Sequence, residues 1–321
     1  MDILLWTVAF VASLAILIKA ADYFTDTAEK IGLIFKIPSF IIGVTIVAVG
    51  TSLPEIATSV SAVLAGNSEI VIANVTGSNL ANILLVLAIA AIVGKTLNVD
   101  KDIIKIDLPI LMGSVILLFL TTLDGIFTYI DGILCLLALL TYVLYNIKSE
   151  RKVEAKDLKD IKKERKEEKK RNRIGIKYPA ILIISGIAII LSADFTITSV
   201  IRLSEILNIG KEIIAVTAVA IGTSLPELVT SVVAARKGNA GIAIGNITGS
   251  NIFNALGVMG IPAFFGTLTI PEEFITFTIP ALVFITILYV FVTMDKEISK
   301  WEGMTLLLLY AAFIGKTFHL I

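Results

Sequence analysis

One cysteine and one histidine are found among 321 residues. Cys135 stands alone in an apolar run, so a disulfide framework or a thiolate metal site within one chain is excluded. With His319 as the only imidazole, a Cys/His cluster for zinc or copper is excluded too. Charge is sparse, with 17% of residues Asp, Glu, Lys or Arg, and 27 bases balance 27 acids. No HExxH sequence occurs, and residues 3–18 have neither the basic leader nor the small-residue cleavage site of a signal peptide, so they are expected to remain as a first span. No stretch is long enough for a separate soluble domain.

What fills the chain instead is apolar. Hydrophobic residues make up 56% and the mean hydropathy is +0.93, against roughly 45–50% apolar content in soluble domains. An all-α polytopic membrane protein is expected, with ten transmembrane helices centred near residues 13, 51, 82, 115, 138, 186, 224, 253, 283 and 312, each supplying the roughly 20 apolar residues a span needs. Between the fifth and sixth spans, residues 148–177 hold 14 of the 27 bases beside seven acids. That composition predicts a solvated, partly helical linker, and its mixed signs argue against nucleic-acid binding.

The sequence repeats itself. Residues 41–82 return at 213–254, an offset of 172, with 26 of 42 positions identical and no gap. Both copies contain GTSLPE, and both contain TGSN followed three residues on by Asn. The domains predicted are therefore a first half at 1–147, the linker at 148–177 and a second half at 178–321. Five spans per half is an odd number, so the second half enters the membrane inverted. The positive-inside rule agrees. If the linker is cytoplasmic, its side also receives Lys30, Lys36, Lys95, Lys101, Lys105, Arg236, Lys237, Lys296 and Lys300, while the other gets little beyond Arg202, Lys211 and Lys316. Both termini are then outside a cell membrane.

Each copy places a glutamate, Glu55 or Glu227, in an apolar run just after a proline, Pro54 or Pro226. Proline breaks or kinks a helix, and an ionisable group in a membrane helix is costly enough to require a function. The second span is expected to be interrupted at Gly50 and Pro54. Around each glutamate stand oxygen donors: Thr51 and Ser52 in one copy, Thr223 and Ser224 in the other. The neighbouring span adds Ser78 with Asn82, and Ser250 with Asn254. Hard cations such as Ca2+ take six to eight oxygen ligands, and inverted repeats with broken helices meeting at mid-membrane mark secondary transporters. The two carboxylates would balance one divalent or two monovalent cations. Thr58, Ser59, Thr230 and Ser231 read as structural hydroxyls, and Asn74 and Asn246 as caps or interhelical bonds. Asp22 and Asp194 read either as access-path residues or as partners for Lys19 and the loops.

GTSLPE followed by GNxTGSN or its near copy, in two inverted repeats, resembles the alpha repeats of the cation/calcium antiporters, and most closely the prokaryotic sodium/calcium exchangers. The resemblance implies a ten-helix antiporter with overlapping Ca2+ and Na+ sites, in which the first and sixth spans slide past the other eight. By the same resemblance Glu55 and Glu227 would be shared by both ions. Thr51 and Thr223 would offer carbonyls to Ca2+. Ser52, Ser224, Ser78 and Ser250 would serve Na+, Ala48 and Ala220 would give carbonyls exposed by the break, and Asn82 and Asn254 would line the centre. Some similar microbial proteins carry Asp where Asn254 stands. The proton/calcium branch typically has an Asn-containing motif in place of GTSLPE, so Na+ is the expected counter-ion, with H+ or K+-dependent exchange as the alternative. A cation channel is a further alternative, though both ligand sets come from one chain, which is expected to work as a monomer. No cofactor is implied. An intramembrane hydrolase would need Asp22 and Asp194 to meet.

Overall fold

A computed structural model describes residues 2–35, 37, 39–99, 103–148, 177–206 and 224–317. Most of the charged linker, the segment holding Ala220 and Thr223, and His319 lie outside the described residues. The helices are α1 (Asp2–Phe35), α2 (Ser39–Ile42), α3 (Ala48–Thr51), α4 (Leu53–Leu64), α5 (Glu69–Ala81), α6 (Leu87–Gly94), α7 (Leu108–Thr122), α8 (Tyr129–Lys148), α9 (Lys177–Ile206), α10 (Leu225–Arg236), α11 (Ala240–Phe253), α12 (Ile279–Thr293) and α13 (Lys300–Thr317).

Several of these run on through wider π turns. Gly43–Val47 joins α2 to α3 and Asn82–Val86 joins α5 to α6, while Asn254–Val258 extends α11. Ile103–Asp107 and Phe274–Thr278 lead into α7 and α12. Such turns recur at functional sites, and two of them open on Asn82 and Asn254.

Among the described residues, seven helices are long and apolar enough to cross a membrane, against ten expected. Of the other three, the seventh expected span falls partly in 207–223, outside the described residues. The eighth and tenth are present as α11 and α13. Asn, Ser, Thr and Gly dilute the first of these, and Lys, Glu and a second Lys interrupt the other.

The molecule has apolar flanks and a buried polar cluster within a largely apolar interior. Leu4, Phe284 and Leu308 stand out on the surface, whereas Thr51, Ser52, Glu55, Asn79, Asn82, Glu227, Asn246, Ser250 and Asn254 are buried. Helices gain little hydrophobic energy from meeting in lipid, so close contact through small residues and interhelical hydrogen bonds must hold them. The crossing of α11 over the Gly43–Val47 turn shows how. A Cβ on Gly249 would sit 2.6 Å from the Val44 carbonyl oxygen, and one on Gly245 2.5 Å from that of Phe40.

At the periphery, α1 packs chiefly on α9 and more lightly on α10. Thr196 donates to Ser13 at 2.9 Å, and the ring of Phe24 lies over Gly186, so α1 and α9 run antiparallel. That register leaves Asp22 and Asp194 about seven residues, roughly 10 Å, apart along the pair. They do not meet.

Two short sheets tie the connections together. β1 (Thr96–Asn98) pairs antiparallel with β4 (Glu297–Ser299), in the register Leu97 to Ile298. β2 (Ile126–Phe127) pairs antiparallel with β3 (Leu268–Thr269), in the register Ile126 to Thr269.

Candidate functional site

The break in the first copy falls on a serine, and the matching serine of the second copy stands directly before a helix. Ser52 (φ −88°, ψ 2°) stands between α3 and α4, and Ser224 (φ −92°, ψ 7°) precedes α10. Gly50 stays helical in α3 and serves packing: a Cβ there would be 3.0 Å from the Phe24 ring. Pro54 and Pro226 fall in the first turn of α4 and α10, where a missing N–H costs nothing. Proline thus starts the second helix, and the interruption sits at Ser52, two residues before Pro54 and between Gly50 and Pro54.

An N-cap serine ordinarily gives its hydroxyl to the first turn of its helix. Neither Ser52 nor Ser224 does so, and both hydroxyls are buried without a protein partner. Glu55 and Glu227 then fall in the first turn, where the positive end of the helix dipole favours a carboxylate. They are 1% and 0% exposed, and none of their four carboxylate oxygens has a hydrogen-bond partner among the described residues. The two charges are near enough to repel each other. Thr51 and Ser52 approach the Glu227 carboxylate, short of hydrogen-bond geometry. Two buried carboxylates left unpaired side by side would be strongly destabilising without a cation between them.

The same scaffold supports both glutamates. Asn74 on α5 donates to the Glu55 carbonyl at 3.2 Å and to the Ser59 hydroxyl at 3.0 Å. Asn246 on α11 donates to the Glu227 carbonyl at 3.4 Å and to the Ser231 hydroxyl at 2.9 Å. Both asparagines make interhelical bonds, the second of the two roles expected for them. Ser59 and Ser231 are structural, as expected, whereas the Thr230 hydroxyl is buried without a partner.

Across the copies, Thr51 donates to the Asn246 side-chain oxygen at 3.1 Å and lies 3.4 Å from the Ser250 hydroxyl. The Ala48 carbonyl accepts from the Ser52 N–H at 3.0 Å, and the Thr51 hydroxyl oxygen lies 3.3 Å from it. Asn82 donates to the Asn251 side-chain oxygen at 3.0 Å, which leaves its own oxygen without a partner. Asn254 has no partner on either amide atom. Ser78 is buried at the same level of α5. Asn79 and Asn251 were given no role from sequence, yet they join the copies; a buried polar residue inside the repeated TGSN was the available signal.

Among the described residues, no three of His, Cys, Asp and Glu gather. The donors here are two carboxylates, hydroxyls and amide oxygens, a set suited to a hard cation. Asp22 is bound at 2.7 Å by Lys237 of the turn after α10, a loop partner as in the second of the two roles read for it, and Asp194 is exposed on α9.

Comparison with known proteins shows a family likeness over most of the chain. The family model described as "Sodium/calcium exchanger protein" matches residues 5–148 and 177–318. The chain is 35% identical to the sodium/calcium exchanger MaX1 of Methanosarcina acetivorans, across 96% of this chain and 97% of that one. It is 32% identical to the inner membrane protein YrbG of Escherichia coli, across 81% of this chain and 80% of that one. Among solved structures, the sodium-calcium exchanger NCX_Mj soaked with 2.5 mM Na+ and 0.1 mM Ca2+ superimposes with a TM-score of 0.81 at 29% identity, over 97% of this chain and 98% of the other. The chain belongs to the sodium/calcium exchanger family of multi-pass membrane proteins.

Proposed function

We propose that this chain is a secondary active antiporter that exchanges Ca2+ for Na+ by alternating access. The observation that carries the proposal is the pair of buried carboxylates without a partner among the described residues, Glu55 and Glu227, each in the first turn of a helix. The carboxylates would carry the charge of one Ca2+ or two Na+. Ser52 and Ser224, whose hydroxyls are spared from capping, would complete the coordination with Asn82 and Asn254 and with carbonyls of Thr51 and Ala48. Ser78, Ser250, Thr223 and Ala220 belong to the same proposed set. The paired hydroxyls favour Na+ over H+ as the counter-ion, because an alkali cation needs ready-made oxygen ligands whereas a proton needs only a carboxylate.

We further infer ten spans in two inverted halves, 1–147 and 178–321, joined by a cytoplasmic linker at 148–177, with both termini outside. The pairing of the strands supports the inversion. β1 and β3 begin 172 residues apart and β2 and β4 171 apart, so they are corresponding positions in the two halves. Halves inserted in the same sense would put β1 and β3 on one side of the membrane. Instead β1 pairs with β4, and β2 with β3. That exchange of partners is what a half turned over in the bilayer produces.

The test is flux into proteoliposomes. Uptake of radiolabelled Ca2+ should follow an outward-directed Na+ gradient and fall to the protein-free level in Glu55→Gln and in Glu227→Gln. Uptake that ignored Na+ and followed an imposed pH gradient would replace Na+ by H+ in the proposal.

A further inference from the structure

The two halves are near copies, so a contact that one half makes and the other cannot is informative. Lys237, in the turn after α10, reaches α1. Its ammonium is 2.7 Å from an Asp22 carboxylate oxygen, pairs with Asp26 and donates to the Asp22 main-chain carbonyl at 3.1 Å. Burial alone would lower the lysine pKa, but the hydrogen bonds and charges of Asp22 and Asp26 outweigh it and raise it.

The corresponding place lacks every part of this cluster but one. The turn itself is the same: Gly238 (φ 76°) follows Lys237, and Gly66 (φ 80°) follows Ala65. Positions 172 residues apart are Lys237 and Ala65, Asp26 and Thr198, and Asp22 and Asp194. Phe24, wedged between Gly50 and Gly186, corresponds to Thr196, which turns to Ser13 instead. The end of α1 that carries Asp22, Phe24 and Asp26 is therefore fastened through Lys237, and no lysine stands at position 65 to do the same for the matching end of α9.

We propose that Lys237 with Asp22 and Asp26 forms a one-sided latch, which ties α1 to the Glu227-bearing helix and biases the protein toward the conformation described here. The inference rests on the inverted-repeat antiporter proposed above. In such a protein the two access states exchange the environments of the halves. A contact available to only one half is kept in one state and lost in the other, so the states differ in free energy. Because α1 and α9 pack chiefly on each other, they can shift as a pair once the latch opens. The lysine and its partners are about a third exposed, 28% against 38% and 44%. Ion pairs of that exposure are weak, and a shift of about threefold to tenfold in the ratio of the two states is expected on removing this one.

The experiment measures that ratio in the full-length protein in lipid nanodiscs. Spin labels go on Val8→Cys of α1 and Leu137→Cys of α8, both lipid-facing, in a Cys135→Ser background, and the inter-label distance distribution is read by pulsed dipolar spectroscopy. Lys237→Ala should lower the ratio of the dominant to the minor distance by about threefold to tenfold. Ala65→Lys with Thr198→Asp, added to Lys237→Ala, should build the latch on the other face and push the ratio further the same way. Lys237→Arg, which keeps the charge, should stay within about twofold of the native ratio. An unchanged distribution in Lys237→Ala, or an equal shift in Lys237→Arg, overturns the latch. The measurement needs no transport, so a native protein without Na+-driven Ca2+ uptake would defeat the antiporter reading separately.

Discussion

Asn79 donates its side-chain amide to the main-chain carbonyl of Asn251 at 3.1 Å, a bond between residues 172 positions apart. A residue can touch its own repeat counterpart only where the two copies meet, so this bond marks the seam between them. The seam is lopsided. Asn82 also donates to Asn251, whereas the amide nitrogens of Asn251 and Asn254 and the side-chain oxygen of Asn79 have no partner.

Asn79→Ala removes the donor at this seam and leaves a buried carbonyl with one bond fewer. A loss of about 1–2 kcal/mol is expected, seen as a lower Tm in detergent with and without Ca2+. An unchanged Tm would mean that the copies are held together elsewhere.

Gly249→Ala should be more damaging, because the added Cβ would meet the Val44 carbonyl oxygen at 2.6 Å and the Ala48 Cβ at 2.7 Å. Those neighbours belong to the helix that carries Thr51, so overpacking of about 1–3 kcal/mol would also part Thr51 from Ser250. Exchange should fall at least about tenfold. Gly113→Ala, where nothing lies within 4 Å of the added Cβ, serves as the control and should match the native rate.

Much of this was legible in the sequence. The 172-residue offset locates Glu55 and Glu227, the break beside each, and the oxygen donors on the next span. The cause of each break was less legible. Pro54 suggests a proline kink, but a proline in the first turn is compatible with a helix start, and only backbone angles show that Ser52 is the residue that leaves the helix. Contacts across the copies were not legible at all. Thr51 with Asn246, Asn79 with Asn251 and Lys237 with Asp22 depend on how one half is laid against the other, and local pattern carries no information about that.

Ca2+ should stabilise the protein through the two glutamates. A cation that binds only the folded state adds about 2.7 kcal/mol at a hundredfold excess over its Kd, so the native Tm should climb as Ca2+ is titrated and fall back on addition of EGTA. Glu55→Gln and Glu227→Gln each halve the site charge and should abolish most of that rise. Either variant, in the absence of Ca2+, should be at least as stable as the native protein, because one buried unpaired charge has been removed. A Ca2+-dependent rise that survived in both variants would move the cation site away from the glutamates.

Asn254 and Asn82 offer a sharper contrast, since they are repeat counterparts with different surroundings. Asn82 spends its nitrogen on Asn251 and keeps a buried oxygen without a partner among the described residues, so Asn82→Ala forfeits a made hydrogen bond, about 1 kcal/mol, together with a candidate ligand. Asn254 is fully buried with both amide atoms unpartnered, and each such group costs about 1–3 kcal/mol. Asn254→Ala removes that cost and also removes a candidate oxygen ligand. The ion-free Tm should therefore rise in Asn254→Ala and fall in Asn82→Ala, while the Ca2+-induced increase shrinks in both. Thermal unfolding with and without Ca2+ separates the two effects, and a fall in the ion-free Tm of Asn254→Ala would show that its amide is held by a partner after all.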